Sequence, residues 1–133
     1  MDLIMWRHAE AEDGTPDNER ELTAKGLKQA RRMAKWLKLR MPEDTVILAS
    51  PAQRTLQTVR ALTADFKIVT EVGTSGSSES LLSAINWFKA KENMLVVGHQ
   101  PTLGETAESL LVTGTMPGLS LVKRVSGLGS ILK

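Results

Sequence analysis

The 133-residue chain predicts an α/β domain: a three-layer α/β/α sandwich with a mostly parallel sheet and helices on both faces. Three observations predict it. Short apolar runs at residues 3–6, 45–49 and 94–97 have the length and bounded ends of buried strands. Segments of helical periodicity alternate with those runs. Each run also breaks off at residues able to do chemistry: Arg7-His8, Ser50-Pro51 and Gly98-His99. In open α/β sheets, ligands sit just beyond the carboxyl ends of the strands. One domain over residues 1–133 is long enough to bury a single core.

The elements follow in order. Leu3-Ile4-Met5-Trp6 is the first strand, and residues 10–20, with Gly14, Pro16, Asp17 and Asn18, form a polar loop beside its end. Thr23 is a good N-cap for a helix whose buried face is Leu27, Ala30, Ala34, Leu37 and Met41, and Pro42 ends it. Lys28, Arg31, Arg32, Lys35 and Lys38 fall mostly on the other side and read as a solvated face. After the strand at 45–49, Ser50 reads as an N-cap and Pro51 as a first helical residue. The helix they open turns Leu56, Val59 and Leu62 inward and places Arg54 in its first turn, beside free N–H groups. Residues 66–70 are a weaker strand, followed by a Gly/Ser loop at 73–78 and a helix at about 78–90 with Leu81, Leu82, Ile85 and Phe88 on one side. Beyond the strand at 94–97, Thr102-Leu103-Gly104-Glu105 has the pattern of a capping box, opening a helix through Leu110 and Leu111. Residues 119–132 alternate weakly and read as one or two terminal strands whose place in the sheet the sequence leaves open.

Composition narrows the function. A net charge of +2 is too small to imply nucleic acid, and two Phe and three Trp give no stacking platform for single strands. Without cysteine, disulfides, thiolate catalysis and Cys-based zinc sites drop out. No run approaches the roughly 20 apolar residues of a membrane span. Arg7, His8 and Glu10 interrupt the first apolar run too early for a signal peptide. The expectation is a cytoplasmic protein.

If the sheet is parallel at these three strands, Arg7, His8, Arg54 and His99 gather at one edge, with two helix N-termini aimed at the same place. Both histidines of the chain are among them. Two Arg, two His and few acids describe a pocket for a dianion, and a phosphoryl group fits it. Either His could attack phosphorus while the remaining donors hold the charge. A metal site is disfavoured: no His-x-x-x-His or carboxylate pair stands at ligand spacing, and two Arg would repel a cation.

Four motifs carry a resemblance. Leu3-Ile4-Met5-Trp6-Arg7-His8-Ala9-Glu10-Ala11, Leu22-Thr23-Ala24-Lys25-Gly26, Ala49-Ser50-Pro51-Ala52-Gln53-Arg54-Thr55-Leu56-Gln57-Thr58 and Val96-Val97-Gly98-His99-Gln100-Pro101 are similar to those of the histidine phosphatase (phosphoglycerate mutase-like) superfamily. Within it they most resemble the small phosphohistidine phosphatases of the SixA type. The likeness runs to about residue 113. It implies that His8 is the nucleophile and forms a phosphohistidine intermediate. It implies also that Arg7, Arg54 and His99 bind the phosphoryl group, with Arg20 a further pocket residue. The family usually has Arg-His-Gly, where this chain has Ala9. Many members carry a Glu as general acid after the third strand. Glu79 and Glu71 are the candidates here, although neither sits in a clear motif.

An acid matters less for one substrate class. An alcohol leaves poorly without protonation, its nearest reference being water at a pKa near 15.7. An imidazole leaves from a P–N bond as a group with a pKa of roughly 6.5. Short loops after the strands leave the pocket open, which suits a phosphohistidine presented on another protein. The alternatives are a small-molecule phosphomonoesterase and a catalytically idle phosphate- or phosphoprotein-binding module. No cofactor, metal, nucleic acid or membrane partner is implied.

Overall fold

The computed structural model describes residues 2–85, 91–109, 114–116, 119–125 and 129–131. Among these, β1 (Asp2–Arg7), β2 (Val46–Ala49), β3 (Lys67–Ile68) and β4 (Met94–Gly98) alternate with α1 (Ala24–Arg40), α2 (Gln53–Arg60), α3 (Ser78–Ile85) and α4 (Thr102–Ser109). Three further strands follow: β5 (Gly114–Met116), β6 (Leu119–Val125) and β7 (Gly129–Ile131). The sheet order is β3-β2-β4-β1-β6-β5, with β7 also paired to β6. β1 to β4 run parallel, and β6 is antiparallel to β1 and β5.

Period-two alternation along the central strands builds a core on each face. In β1, Ile4 and Trp6 join Leu95 and Val97 of β4 beneath Ala34 and Leu37 of α1 and Val59 of α2. Leu3 and Met5 point the other way, with Met94 and Val96, against Leu81 and Ile85 of α3 and Leu103 of α4. The sheet is therefore covered by α1 and α2 on one side and by α3 and α4 on the other. β1 from Leu3 to Trp6 and β4 from Met94 to Val97, buried on both faces, are apolar, as interior parallel strands must be.

Most element expectations agree with the structure, and a few boundaries differ. Thr23 caps α1, its Oγ1 accepting from the Gly26 N–H at 2.9 Å. Ala30, Ala34 and Leu37 are buried, and the helix stops at Arg40, ahead of Pro42. The α2 helix begins at Gln53, with Ala52 as its N-cap, two residues later than Ser50 and Pro51 suggest. The β3 strand keeps only Lys67 and Ile68 of residues 66–70, since both are exposed at the sheet edge and little burial supports them. The capping-box reading of Thr102 fails. Thr102 is already helical, and its hydroxyl donates to the Gly76 carbonyl at 3.2 Å. The Gln100 side chain accepts from the Gly104 N–H instead, at 2.9 Å. The expected continuation of α3 over 86–90, with Phe88, lies outside the described residues, as do Leu110, Leu111 and Leu132.

Candidate active site

The register assembles the site. Arg7 lies opposite Gly98 at the ends of the neighbouring parallel strands β1 and β4, and the His8 N–H donates to the Gly98 carbonyl at 3.0 Å. Ser50 closes β2 on the other flank of β4, its N–H donating to Val97 O at 3.1 Å. Three chain segments, distant in sequence, thus end side by side. The His8 and His99 rings stand 5.3 Å apart between centroids, tilted by 57°.

His8 is half-buried at the mouth of a cleft of about 840 Å³ lined by Trp6, Arg7, Gln29, Met33 and Trp36 among others. Its Nδ1 lies 2.7 Å from Ala9 O. A carbonyl only accepts, so Nδ1 carries the hydrogen and Nε2 keeps its lone pair. The next residue is held as well. The Ala9 N–H donates to Thr58 Oγ1 at 3.0 Å, and that hydroxyl donates to Arg54 O at 2.7 Å. The Ala9 methyl, where relatives with Arg-His-Gly have none, packs with Leu22 and Ala30. Burial lowers the His8 pKa below its ordinary value, and the charges of Arg54, Arg7 and Arg20 add to the effect. At neutral pH His8 is therefore an uncharged imidazole with a free Nε2.

Arg54, in the first turn of α2, is only 4% exposed. Its Nη1 donates to Asp17 O at 2.7 Å and its Nη2 to Asp17 Oδ2 at 3.0 Å. The other carboxylate oxygen of Asp17 accepts from Arg20 Nη1 at 2.9 Å, and Arg20 Nε donates to Glu12 O at 2.6 Å. The loop at 10–20 thus ties both arginines to the site through one acid. Two of the five guanidinium N–H groups of Arg54 go to Asp17, and its buried Nε has no partner among the described residues. Bonds to the arginines hold the Asp17 carboxyl below the usual carboxylate range.

His99 is buried beside the ends of β2 and α2. Its Nε2 lies 2.6 Å from Ser50 Oγ and 3.4 Å from Thr55 Oγ1, while its Nδ1 is buried without a partner among the described residues. Burial, with Arg54 and His8 nearby, pushes its pKa down to about 4. Two buried nitrogens, Arg54 Nε and His99 Nδ1, therefore lack partners among the described residues, in a region crowded with donors. Such orphans are costly unless something fills them, and an anion would.

The structure brings His8, His99 and Arg54 together. Arg7 is exposed and lines the cleft at the end of β1, and Arg20 is joined to the site through its ion pair with Asp17. Glu79 is exposed in the first turn of α3. Glu71 is exposed in the turn after β3, where its carboxylate accepts from Thr70 Oγ1 at 2.7 Å. Neither hydrogen-bonds to the residues around His8. Sequence reasoning missed Asp17, Ser50 as a partner of His99, Thr55 and Thr58. Ser50, Thr55 and Thr58 all lie in the run 49–58 that carried Arg54, and their full burial as hydroxyl residues is the signal that marks them.

An open α/β sheet with paired histidines and a buried arginine at its carboxyl edge defines an oxyanion-handling domain. The model of the histidine phosphatase superfamily (branch 1) matches residues 3–75, and the chain belongs to that superfamily. It is 33% identical over 133 residues to an uncharacterized protein of Picosynechococcus sp. strain PCC 7002, covering 92% of this chain and 81% of that protein. It is 29% identical over 127 residues to the phosphohistidine phosphatase SixA of Escherichia coli K12, covering 88% of this chain and 78% of that protein. A solved structure of the protein histidine phosphatase SixA complexed with tungstate superposes with a TM-score of 0.76 at 25% identity, covering 100% of this chain and 94% of that one. The chain is a SixA-type phosphatase whose chemistry runs through a histidine. No described helix is long and apolar enough to cross a membrane.

Proposed function

We propose that this chain is a single-domain cytoplasmic phosphatase that removes the phosphoryl group from phosphohistidine on another protein, with His8 as nucleophile. The arrangement of His8 carries the reading: Nδ1 is committed to Ala9 O at 2.7 Å, and the other ring nitrogen is free next to His99 and Arg54. In the first step His8 Nε2 attacks phosphorus, forming a P–N bond as the P–N bond to the substrate imidazole breaks. The leaving ring, protonated on its other nitrogen, departs as neutral imidazole. Water then attacks phosphorus, the bond to His8 breaks, and inorganic phosphate leaves. Arg7, Arg54 and His99 supply the donors that hold the phosphoryl oxygens, with Arg20 joined to them through Asp17. Tungstate, the ligand of the similar SixA structure, is a tetrahedral oxyanion of the kind this pocket would take.

Protein phosphohistidine is preferred over a phosphate monoester for two reasons. Among the described residues, the carboxylate bonded to Arg54 is that of Asp17, which is committed to two arginines, and the carboxylate of Glu10, which also lines the cleft, accepts from the Thr23 hydroxyl at 2.8 Å, so neither is set up to protonate an alkoxide. The cleft beside His8 is also far larger than a phosphoryl group, leaving room for the segment of a partner that presents the histidine. Glu79 and Glu71 remain the acids to test if monoesters prove good substrates.

The test is hydrolysis of a histidine-phosphorylated protein by the wild-type chain and by His8→Ala, alongside acid-quench trapping of label. The wild type should release phosphate and carry acid-labile label on His8, and His8→Ala should do neither. Label-free phosphate release would exclude the covalent route. Binding without release would make the chain a phosphoprotein-binding module.

A further inference from the structure

We propose that Ser50 is a positioning residue that fixes the tautomer of His99: its hydroxyl donates to Nε2, so that Nδ1–H and Arg54 Nε–H are left as two inward donors for phosphoryl oxygens. The functional half of this inference rests on the phosphatase reading; the tautomer itself does not.

The geometry decides between two assignments of one short contact. Ser50 Oγ and His99 Nε2 are 2.6 Å apart, and either could be the donor. Ser50 is fully buried and pinned by its own N–H to Val97 O, so its hydroxyl has few places to turn. Its oxygen already accepts from the Ala52 N–H at 3.3 Å. If His99 donated as well, the oxygen would receive two hydrogens and its own proton would point at no acceptor. A buried hydroxyl hydrogen with no acceptor is left desolvated and unpaired, which is destabilising. If Ser50 donates, the hydroxyl accepts once and donates once, and Nε2 is satisfied. Thr55 Oγ1, at 3.4 Å from the same nitrogen, is a second hydroxyl able to donate to it.

The opposite end of the ring supports the same assignment. His99 Nδ1 and Arg54 Nε are the two buried side-chain nitrogens without a partner among the described residues. Arg54 Nε is always N–H. With hydrogen on Nδ1 as well, both orphans are donors awaiting one acceptor-rich guest. With a lone pair on Nδ1, the ring would present negative density to the phosphoryl oxygens that Arg54 attracts. Because His99 stays uncharged at neutral pH, it carries one hydrogen only, and which nitrogen holds it determines whether it helps or hinders.

The chain has only two histidines, so the imidazole nitrogens can be read directly by two-bond ¹H–¹⁵N correlation on uniformly labelled protein. At pH 7 the wild type should show both rings protonated on Nδ1. Ser50→Ala should shift His99 towards the Nε2–H form, leave His8 unchanged, and slow labelling of His8 by a small phosphodonor at least tenfold. Ser50→Thr, which keeps the hydroxyl, should restore both. Unchanged His8 resonances in Ser50→Ala separate loss of the tautomer from loss of the fold. Hydrogen on Nε2 of His99 in the wild type would overturn the inference, and so would a Ser50→Ala chain whose tautomer and labelling rate match the wild type. A wild type with the expected tautomers that never takes label would leave the assignment standing and remove the phosphatase reading instead.

Discussion

At the scale of single residues, the site is a set of charges and ring nitrogens kept out of water. His99 shows the cost. Its folded pKa of about 4 lies below the ordinary value of 6.5, so between these values the unfolded chain takes up a proton that the native chain does not. Stability is therefore fully present above pH 6.5 and falls as the pH drops from 6.5 towards 4. At 1.36 kcal/mol per pKa unit the ceiling is about 3 kcal/mol, reduced by whatever water reaches the ring. Urea unfolding at pH 7 and pH 5 should show the loss, and His99→Gln should flatten the slope while leaving the part due to His8. A slope equal in His99→Gln and wild type would contradict the buried neutral ring. Arg54 is the other expensive residue. Its side chain is 5% exposed and paired with Asp17, and a lysine cannot serve Asp17 and a phosphoryl group from one planar fork. Arg54→Lys should slow His8 labelling about a hundredfold, the scale of losing one preorganised donor to a developing charge. A change under threefold would mean that Arg54 does not touch the phosphoryl group.

At the scale of elements, position follows from how strands end and helices start. The α1 helix begins where Gly26 meets the backbone of Glu10: a Cβ on Gly26 would overlap the Glu10 carbonyl oxygen. That contact joins the start of α1 to the stretch just after His8, and the Thr23 N–H donates to the same carbonyl at 3.0 Å. Gly26→Ala must push the helix and the loop apart. It should cost about 1–3 kcal/mol, the usual range for overpacking, and should also slow His8 labelling, because residues 9 and 10 move with it. Thermal unfolding and labelling together check this, and a variant as stable and active as wild type would show that the loop yields freely. The same elements show what local sequence can and cannot reveal. The Thr23 cap and the Ala30-Ala34-Leu37 stripe were legible because a helix needs only spacing and a capping oxygen. The two-residue β3, the late start of α2 and the role of Gln100 at α4 were not. The tertiary setting decides them: β3 lies at an exposed sheet edge, and the Gly76 carbonyl takes the Thr102 hydroxyl that would otherwise cap α4. Asp17 was hidden for the same reason: in the sequence it is one acid in a polar loop, and only folding sets it on Arg54, 37 residues away.

At the scale of the whole molecule, the parallel order of β2, β4 and β1 places Ser50, His99 and His8 in one row, and the loop at 10–20 lays Asp17 across its end. Convergence of the two histidines and Arg54 was readable from where apolar runs stop, since that needs only that the three strands be parallel. The terminal strands were readable as strands, and β6 and β7 lie there, but their place beside β1 was not, because weak alternation carries no information about pairing partners. The finished assembly has a chemical signature. Around His8 it gathers groups that donate to phosphoryl oxygens, while among the described residues the Asp17 carboxylate is held by Arg20 at 2.9 Å and Arg54 at 3.0 Å and the Glu10 carboxylate is bonded to the Thr23 hydroxyl at 2.8 Å. A site rich in charge stabilisation and poor in proton donors should stabilise the transferring phosphoryl group while leaving the departing group unassisted. Its rate should then depend steeply on leaving-group pKa. Phosphohistidine and aryl phosphates with acidic phenols should label His8 at least a hundredfold faster than alkyl phosphates, and Glu79→Gln and Glu71→Gln should alter that ratio less than twofold. A flat dependence would reveal a general acid at work, and collapse of alkyl phosphate turnover in one of the two glutamate variants would identify which residue it is.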